Sequence, residues 1–390
     1  MFAEPTVFIL GAGASWHYGY PTGEELVKKV LEKAELLSKY LENSVHTLNL
    51  QWPKFVEPAK TSDGDEIARH WQVALDKCKA LRAGLEQVRP LVIDYYLGWN
   101  ASFKDLGRLL IAWVILDCER RCTEAGAGNI NRRAQSPVDN LKLFNDDWCR
   151  FLLHKLAINC KTSQDLFKNQ VRFVTFNYDL SLKIALSVGL AHIELFKPNV
   201  IDFLDDDRIL HIYGKVRSGL VADNVAWSLE GKNPKGLNGR ALLNYQSGYK
   251  GFLDALYDAS QGIRVIDPED KGADEAVIQK AREAIERATY VYILGYGFDE
   301  NNSKRLGLQQ SLSHNGLKKF VHFTNFGENN RVNKRASQTF FGRMDQFPSG
   351  GQLVFPRDTP YYYERSFRNV YDALERDFES LEQAEKEAEK

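Results

Sequence analysis

The chain has 390 residues, 44% of them hydrophobic, which is enough for one large domain or two ordinary ones around a sizeable core. Lysine plus arginine number 51 and aspartate plus glutamate 52, and the net charge of −1 argues against broad electrostatic binding of nucleic acid, which needs a basic surface, while leaving room for a local basic patch. The five cysteines (Cys78, Cys118, Cys122, Cys149 and Cys160) are odd in number and contain no CxxC pair, so neither a disulfide framework nor a four-cysteine zinc site is supported.

No apolar run reaches the length of a membrane span. The opening MFAEPTVFILGAG lacks a basic leader and reads as a first strand rather than a signal peptide; with the unpaired cysteines, the expected location is a reducing cytoplasm. Thr6 to Leu10 is a β-branched and aromatic run ending at Gly11, the pattern of a buried strand feeding a glycine loop. Thr22 and Glu25 form a capping-box pattern ahead of Leu26, Val27, Val30, Leu31 and Ala34 at helical spacing.

A long helical block follows. Ile67, Trp71, Leu75, Cys78, Leu81 and Leu85 share one stripe. Leu106, Leu110, Trp113 and Asp117 mark a second helix, and Leu141, Phe144, Trp148, Phe151 and Leu152 a third. Between them, Gly126 to Pro137 is polar and glycine-rich and reads as a loop.

Near residue 170 the pattern changes. Val171 to Phe176, Arg208 to Ile212, Thr289 to Leu294 and Phe320 to Phe323 read as strands, with helices over Leu180 to Leu190 and 273–288. Strands alternating with helices predict an α/β fold, a Rossmann-like parallel sheet with helices on both faces. Its segments are 1–21 and 169–345, with a helical insertion at 22–168. A helical C-terminal extension, 346–390, runs from Tyr361 into the charged EQAEKEAEK.

Gly11-Ala12-Gly13-Ala14-Ser15 follows the first strand, where glycines let the backbone approach a pyrophosphate and direct N–H groups at it. Gly126-Ala127-Gly128 has the same letters but follows a helix and has no such context. The loop is not of the dehydrogenase type. Trp16 stands where a third glycine belongs, and no acid ends a second strand about twenty residues on. No Gly-Lys-Ser or Gly-Lys-Thr occurs, so hydride transfer and ATP hydrolysis both lose ground.

Four separated pieces line up: GAGAS with Gly19 and Pro21, TFNYD at 175–179, HIYGK at 211–215, and GYGF at 295–298. In this order the chain resembles the sirtuin superfamily, more closely its bacterial sirtuin-like NAD hydrolases of antiviral defence than its protein deacylases. The resemblance implies NAD as substrate, with Asn177 and His211 at the reacting ribose. It further implies dinucleotide contacts from Gly11 to Ser15, Pro21, Thr175, Asp179 and Gly295-Tyr296-Gly297-Phe298.

Asn325, beyond the last strand, is a candidate for the adenosine half. Asp94, in PLVIDYYL, resembles a segment of the same hydrolases that reaches a ribose hydroxyl, although the serine of that segment is absent. Asp179 reads chiefly as a supporting carboxylate.

The chemistry of the two catalytic candidates also stands without the resemblance. Cleaving the nicotinamide–ribose bond builds positive charge on the sugar, and nicotinamide leaves as a neutral base, so no strong general acid is required. A positioned water and a hydrogen bond that polarises a ribose hydroxyl help: an Asn amide can orient water or ribose, and a neutral imidazole can take up a hydroxyl proton near pH 7.

The deacylases carry Asp-Phe-Arg where Thr22-Gly23-Glu24 stand here, and two CxxC pairs that this chain lacks. The resulting expectation is an NAD glycohydrolase that yields nicotinamide and ADP-ribose and depletes NAD in antiphage defence. It would be free of metal, self-associating, and paired in some relatives with a HerA-like ATPase. The rivals are a non-catalytic sensor of NAD or ADP-ribose and, less favoured, an NAD-dependent deacylase.

Overall fold

A computed structural model of the protein describes residues 1–44, 64–126, 148–205, 207–217, 252–265, 275–313, 319–326, 330–341, 361–362 and 366–367. In chain order these hold β1 (Thr6–Leu10), α1 (Gly23–Ser44), α2 (Gly64–Val88), α3 (Ile93–Trp99), α4 (Lys104–Gly126) and α5 (Cys149–Ala157). Next come β2 (Val171–Thr175), α6 (Ser181–Ala191), α7 (Val200–Phe203), β3 (Ile209–His211), α8 (Phe252–Ser260) and α9 (Glu275–Arg287). The last are β4 (Tyr290–Leu294), α10 (Glu300–Arg305), α11 (Leu308–Ser313), β5 (Lys319–Thr324), α12 (Asn330–Phe341), β6 (Tyr361–Tyr362) and β7 (Ser366–Phe367).

The sheet is parallel, in the order β3-β2-β1-β4-β5, which is the Rossmann-like α/β arrangement the alternation predicts. β1 is central. Its register runs Thr6↔Val171 to Leu10↔Thr175 on one side and Thr6↔Tyr290 to Leu10↔Leu294 on the other. The chain order reverses between β1 and β4, and their carboxyl ends flank that switch point.

β1 is buried along its whole length, so alternate residues supply two different cores. Val7 and Ile9 face a layer built from α1, α2, α4 and α9. Phe8 and Leu10 face the layer of α5, α6 and α7. Phe8 lies stacked between Phe173 and Tyr292, at 5.3 and 4.9 Å between ring centroids.

The described elements of the insertion are all helices, joined by short turns, but it is not a satellite domain. α1 to α4 share one continuous core with the sheet, and α5 covers the opposite face. α1 starts where the capping pattern puts it: the Thr22 amide and hydroxyl both donate to the Glu25 carboxylate, at 2.8 and 3.0 Å. Its Val30, Ala34, Leu37 and Leu41 are fully buried at helical spacing. Burying each such leucine contributes about 1.5–3 kcal/mol of transfer free energy.

Lys319, at the start of β5, is completely buried. Its ammonium donates to the carbonyls of Ile285, Glu286 and Ala288, closing the C-terminal end of α9.

One expectation is corrected. The segment from Tyr361, read as helical, opens instead as β6 and β7, both pairing in parallel with β5. Tyr and Phe favour strands, and the outer edge of β5 offers unpaired backbone groups for them to cover. The rest of that extension, and most of the loop read at Gly126 to Pro137, lie outside the described residues.

Candidate active site

The loops that leave β1 and β4 meet at the switch point. The Gly13 amide donates to the Gly295 carbonyl at 3.0 Å, and the Gly11 amide to Leu294 at 3.0 Å. A Cβ on Gly11 would lie 2.5 Å from the Gly295 oxygen, and one on Gly13 2.9 Å from the Gly295 Cα. Gly295 itself has φ +59°, and a Cβ there would land on the Ala14 nitrogen.

These glycines are therefore required by contact between two loops, a reason the nucleotide reading did not include. The amides of Ala14 and Ser15 turn back to Gly11 and Ala12, so four amides of this loop are donated within the protein. That corrects the expectation that they point at a pyrophosphate. The loop is itself a short 3-10 turn, Ala12–Ala14, and a second, Trp16–Tyr18, separates it from α1, so α1 does not begin at the loop. Gly297 differs: a Cβ there would meet nothing within 4 Å, and it faces open space.

A cleft of about 1010 Å³ opens over this edge, a volume in the range of small-molecule sites. Its lining includes Gly11, Ala12, Gly13, Ser15, Pro21, Asp94, Asn177, Asp179, Gly295, Tyr296, Gly297 and Asn325 from the sequence candidates. Ala14, Thr175 and His211 are placed elsewhere. They line a cavity of about 10 Å³, the scale of one water molecule, that shares Ser15, Trp148, Asn177 and Asp179 with the cleft. The cavity is thus an inner pouch beside the cleft, and His211 stands in the pouch.

Within this pouch the TFNYD segment is held tightly. The Asn177 amide donates to the Thr175 hydroxyl at 3.0 Å. Its side chain donates to the Gly11 carbonyl at 3.1 Å and to the Ser15 hydroxyl at 3.3 Å. His211 Nδ1 lies 3.1 Å from the Asn177 carbonyl. A carbonyl can only accept, so Nδ1 carries the proton in the neutral ring and the basic lone pair is on Nε2.

Asp179 accepts from Ser15 Oγ at 3.0 Å and from the Ser181 amide at 3.0 Å, which secures the first turn of α6. Burial raises its carboxyl above the ordinary aspartate value, against the pull of the Ser181 and Ser15 bonds. The Trp148 indole donates to the Ala14 carbonyl at 2.8 Å and closes the pouch from behind.

Asp94 is buried rather than at the surface. Tyr178, the neighbour of Asn177, donates its hydroxyl to it. Burial pushes the Asp94 carboxyl up to about 6, opposed by the Tyr178 bond. The next residue, Tyr95, donates to Asp299 at 2.6 Å, and Asp299 also caps α10 through the Asn302 amide at 3.0 Å. Two adjacent residues of α3 thus fasten the insertion to the loops of β2 and β4.

Two candidates have other duties. Phe298, at φ +49°, turns its ring into the core against Tyr296, Phe323 and Phe340 and does not line the cleft. Asn325 lines the cleft but is almost wholly buried, and its amide donates to Asn333 of α12 at 2.8 Å. Residues that the sequence reading passed over also line the cleft: Tyr95, Trp99, Asp299, Asn302, Phe326 and Arg335.

Among the described residues no group of three or more His, Cys, Asp or Glu could hold a metal ion, and no helix is long and apolar enough to cross a membrane. No family model, curated protein or solved structure matches the chain.

Proposed function

We propose that the protein is an NAD glycohydrolase of sirtuin-like type, which hydrolyses the nicotinamide–ribose bond to nicotinamide and ADP-ribose. The observation that carries this reading is the water-sized pouch walled by Asn177, His211, Ser15 and Asp179 and opening beside a cleft at the switch point of the sheet.

In the proposed reaction the nicotinamide ribose sits in the cleft with its anomeric carbon at the mouth of the pouch. As the C1′–N bond breaks, the electron pair leaves with neutral nicotinamide and charge builds on the sugar. A water held by the Asn177 side chain adds to C1′, and His211 Nε2 takes its proton and releases it to solvent. The Asn177 carbonyl fixes the tautomer that leaves Nε2 basic. Asp94, ionised above a pH of about 6, accepts from a ribose hydroxyl at the cleft wall. The wider role, NAD depletion in antiviral defence under control by self-association or an ATPase partner, belongs to the same proposal. Light scattering with and without NAD tests its oligomeric part.

The test of the chemistry is nicotinamide release from NAD, with calorimetric NAD binding in parallel. Asn177→Ala and His211→Ala should each lower turnover by about 10²–10⁴-fold, the usual value of a positioned acid or base, while NAD still binds. Near wild-type release by both folded variants would show that the site is misassigned. Binding without release by the wild type under every activating condition would favour the sensor reading.

A further inference from the structure

Two of the most exposed aromatic side chains among the described residues stand together at the cleft mouth. Trp16 is 54% and Phe326 82% exposed, and both line the cleft. Their ring centroids are 6.4 Å apart, with 39° between the planes. Trp16 follows the β1 loop and Phe326 follows β5, the strands on either side of β4, so the pair spans the β4 loop at Gly297. Leaving two large apolar rings together in water is unfavourable, and such an exposed pair marks a surface that a ligand covers. Trp16 is also positioned: its indole hydrogen-bonds the Glu25 carboxylate that the Thr22 amide already holds.

A third group completes this corner. Arg335, from α12, is the one arginine or lysine among the described residues that line the cleft, and its Nη1 donates to the Gly297 carbonyl at 3.3 Å. The acids of the cleft are Asp94, Asp179 and Asp299. Since four amides of the glycine loop are donated internally, an anionic ligand has Arg335 as its nearest full positive charge on this lining.

We infer that Trp16, Phe326 and Arg335 form an anchor for a 5′-phosphorylated purine nucleotide, the base stacking on the two rings and the phosphate pairing with the guanidinium over Gly297. The inference rests on the NAD reading above and deepens it, because it makes the adenylate half a condition of substrate choice. The span agrees. From β2, which carries Asn177, to β5 is three strand steps, or about 14 Å, so one extended dinucleotide reaches both ends. Two rings that sandwich a third need about 7 Å between centroids, twice the contact distance. Reaching it from the present 6.4 Å and 39° takes a shift of less than an ångström and a rotation toward parallel, both open to a side chain as exposed as Phe326.

The test uses the full chain with AMP and nicotinamide mononucleotide as separate probes, one for each end of the cleft. Wild type should bind AMP by calorimetry. Phe326→Ala should weaken that binding about 5–150-fold, the range for losing one base–aromatic stack. Arg335→Met should weaken AMP but not adenosine. In turnover, both variants should raise KM for NAD far more than they lower kcat. The preference for NAD over nicotinamide mononucleotide should collapse with it.

Equal AMP affinity in wild type and both variants would overturn the anchor, as would NAD cleavage by a wild type that does not bind AMP. AMP binding lost in the variants, with no nicotinamide released by any form, would leave the anchor standing and defeat the glycohydrolase reading.

Discussion

At the switch point the loops after β1 and β4 meet backbone against backbone, whereas the loop after β2 meets the glycine loop after β1, and His211 at the end of β3, through side chains. The first junction consists of Gly11, Gly13 and Gly295 with their own amides and carbonyls. The second consists of Asn177, His211, Asp179 and Ser15 joined by side-chain hydrogen bonds, with Tyr178 reaching back to Asp94. A backbone junction has no rotamer with which to absorb an added atom, so it fixes geometry and tolerates no change. A side-chain junction can lose a group while the chain around it stays in place, which is what a site of chemistry requires.

The sharpest way to break this contrast is Gly295→Ala, which adds a carbon onto the Ala14 backbone at a residue with φ +59°. Overpacking and the left-handed backbone together should cost about 3–5 kcal/mol, read by denaturant or thermal unfolding. A variant of wild-type stability would mean the two loops are not packed as described.

Next in size is the Asp94 carboxyl. Held at about 6 against an ordinary 3.8, it binds its proton more tightly in the folded chain than in the unfolded one. Stability is then undiminished below a pH near 4, falls as pH rises toward 6, and stays lower above that, by a few kcal/mol. Asp179 is raised in the same sense, so the informative quantity is a difference. Asp94→Asn minus wild type should remove part of the downward slope between pH 4 and 6, and an unchanged slope would count against a buried Asp94.

Asp179→Asn keeps one acceptor for Ser181 and loses the one that serves Ser15. It should cost about 1–2 kcal/mol and lower turnover much less than Asn177→Ala does. Smallest of all, Gly297→Ala adds its carbon to open space and should change stability by no more than about 0.5 kcal/mol. A loss as large as that at Gly295 would erase the distinction between the packed glycines and the open one.

β1, β2, β4 and β5 were legible because each is a short run of β-branched and aromatic residues, and the start of α1 was legible in Thr22 and Glu25. The meeting of Asn177 with His211 was legible because both residues end strands of one parallel sheet. The meaning of the glycines was not. Gly11 and Gly295 are far apart in sequence, and nothing local says that each is the other's obstacle. Nor does sequence tell whether Phe298 or Phe326 turns outward: the first is packed in the core and the second is exposed. Asn325 likewise reads as a ligand contact, yet its amide ties β5 to α12 and so places Arg335. The opening of the C-terminal extension misled because its aromatic residues fit either a helix face or a sheet edge until β5 supplies the edge.

The level register of the central strands has a consequence for how this chain can vary in length. Leu10 stands beside both Thr175 and Leu294, and Val7 and Ile9 face one core while Phe8 and Leu10 face the other. Deleting one residue within β1 would exchange those two sets and withdraw the GAGAS loop by about 3.3 Å from the loops it interlocks with. Added or missing residues should therefore be accommodated in the connections between helices, while β1 and the five residues after it keep their count from one variant of the chain to the next.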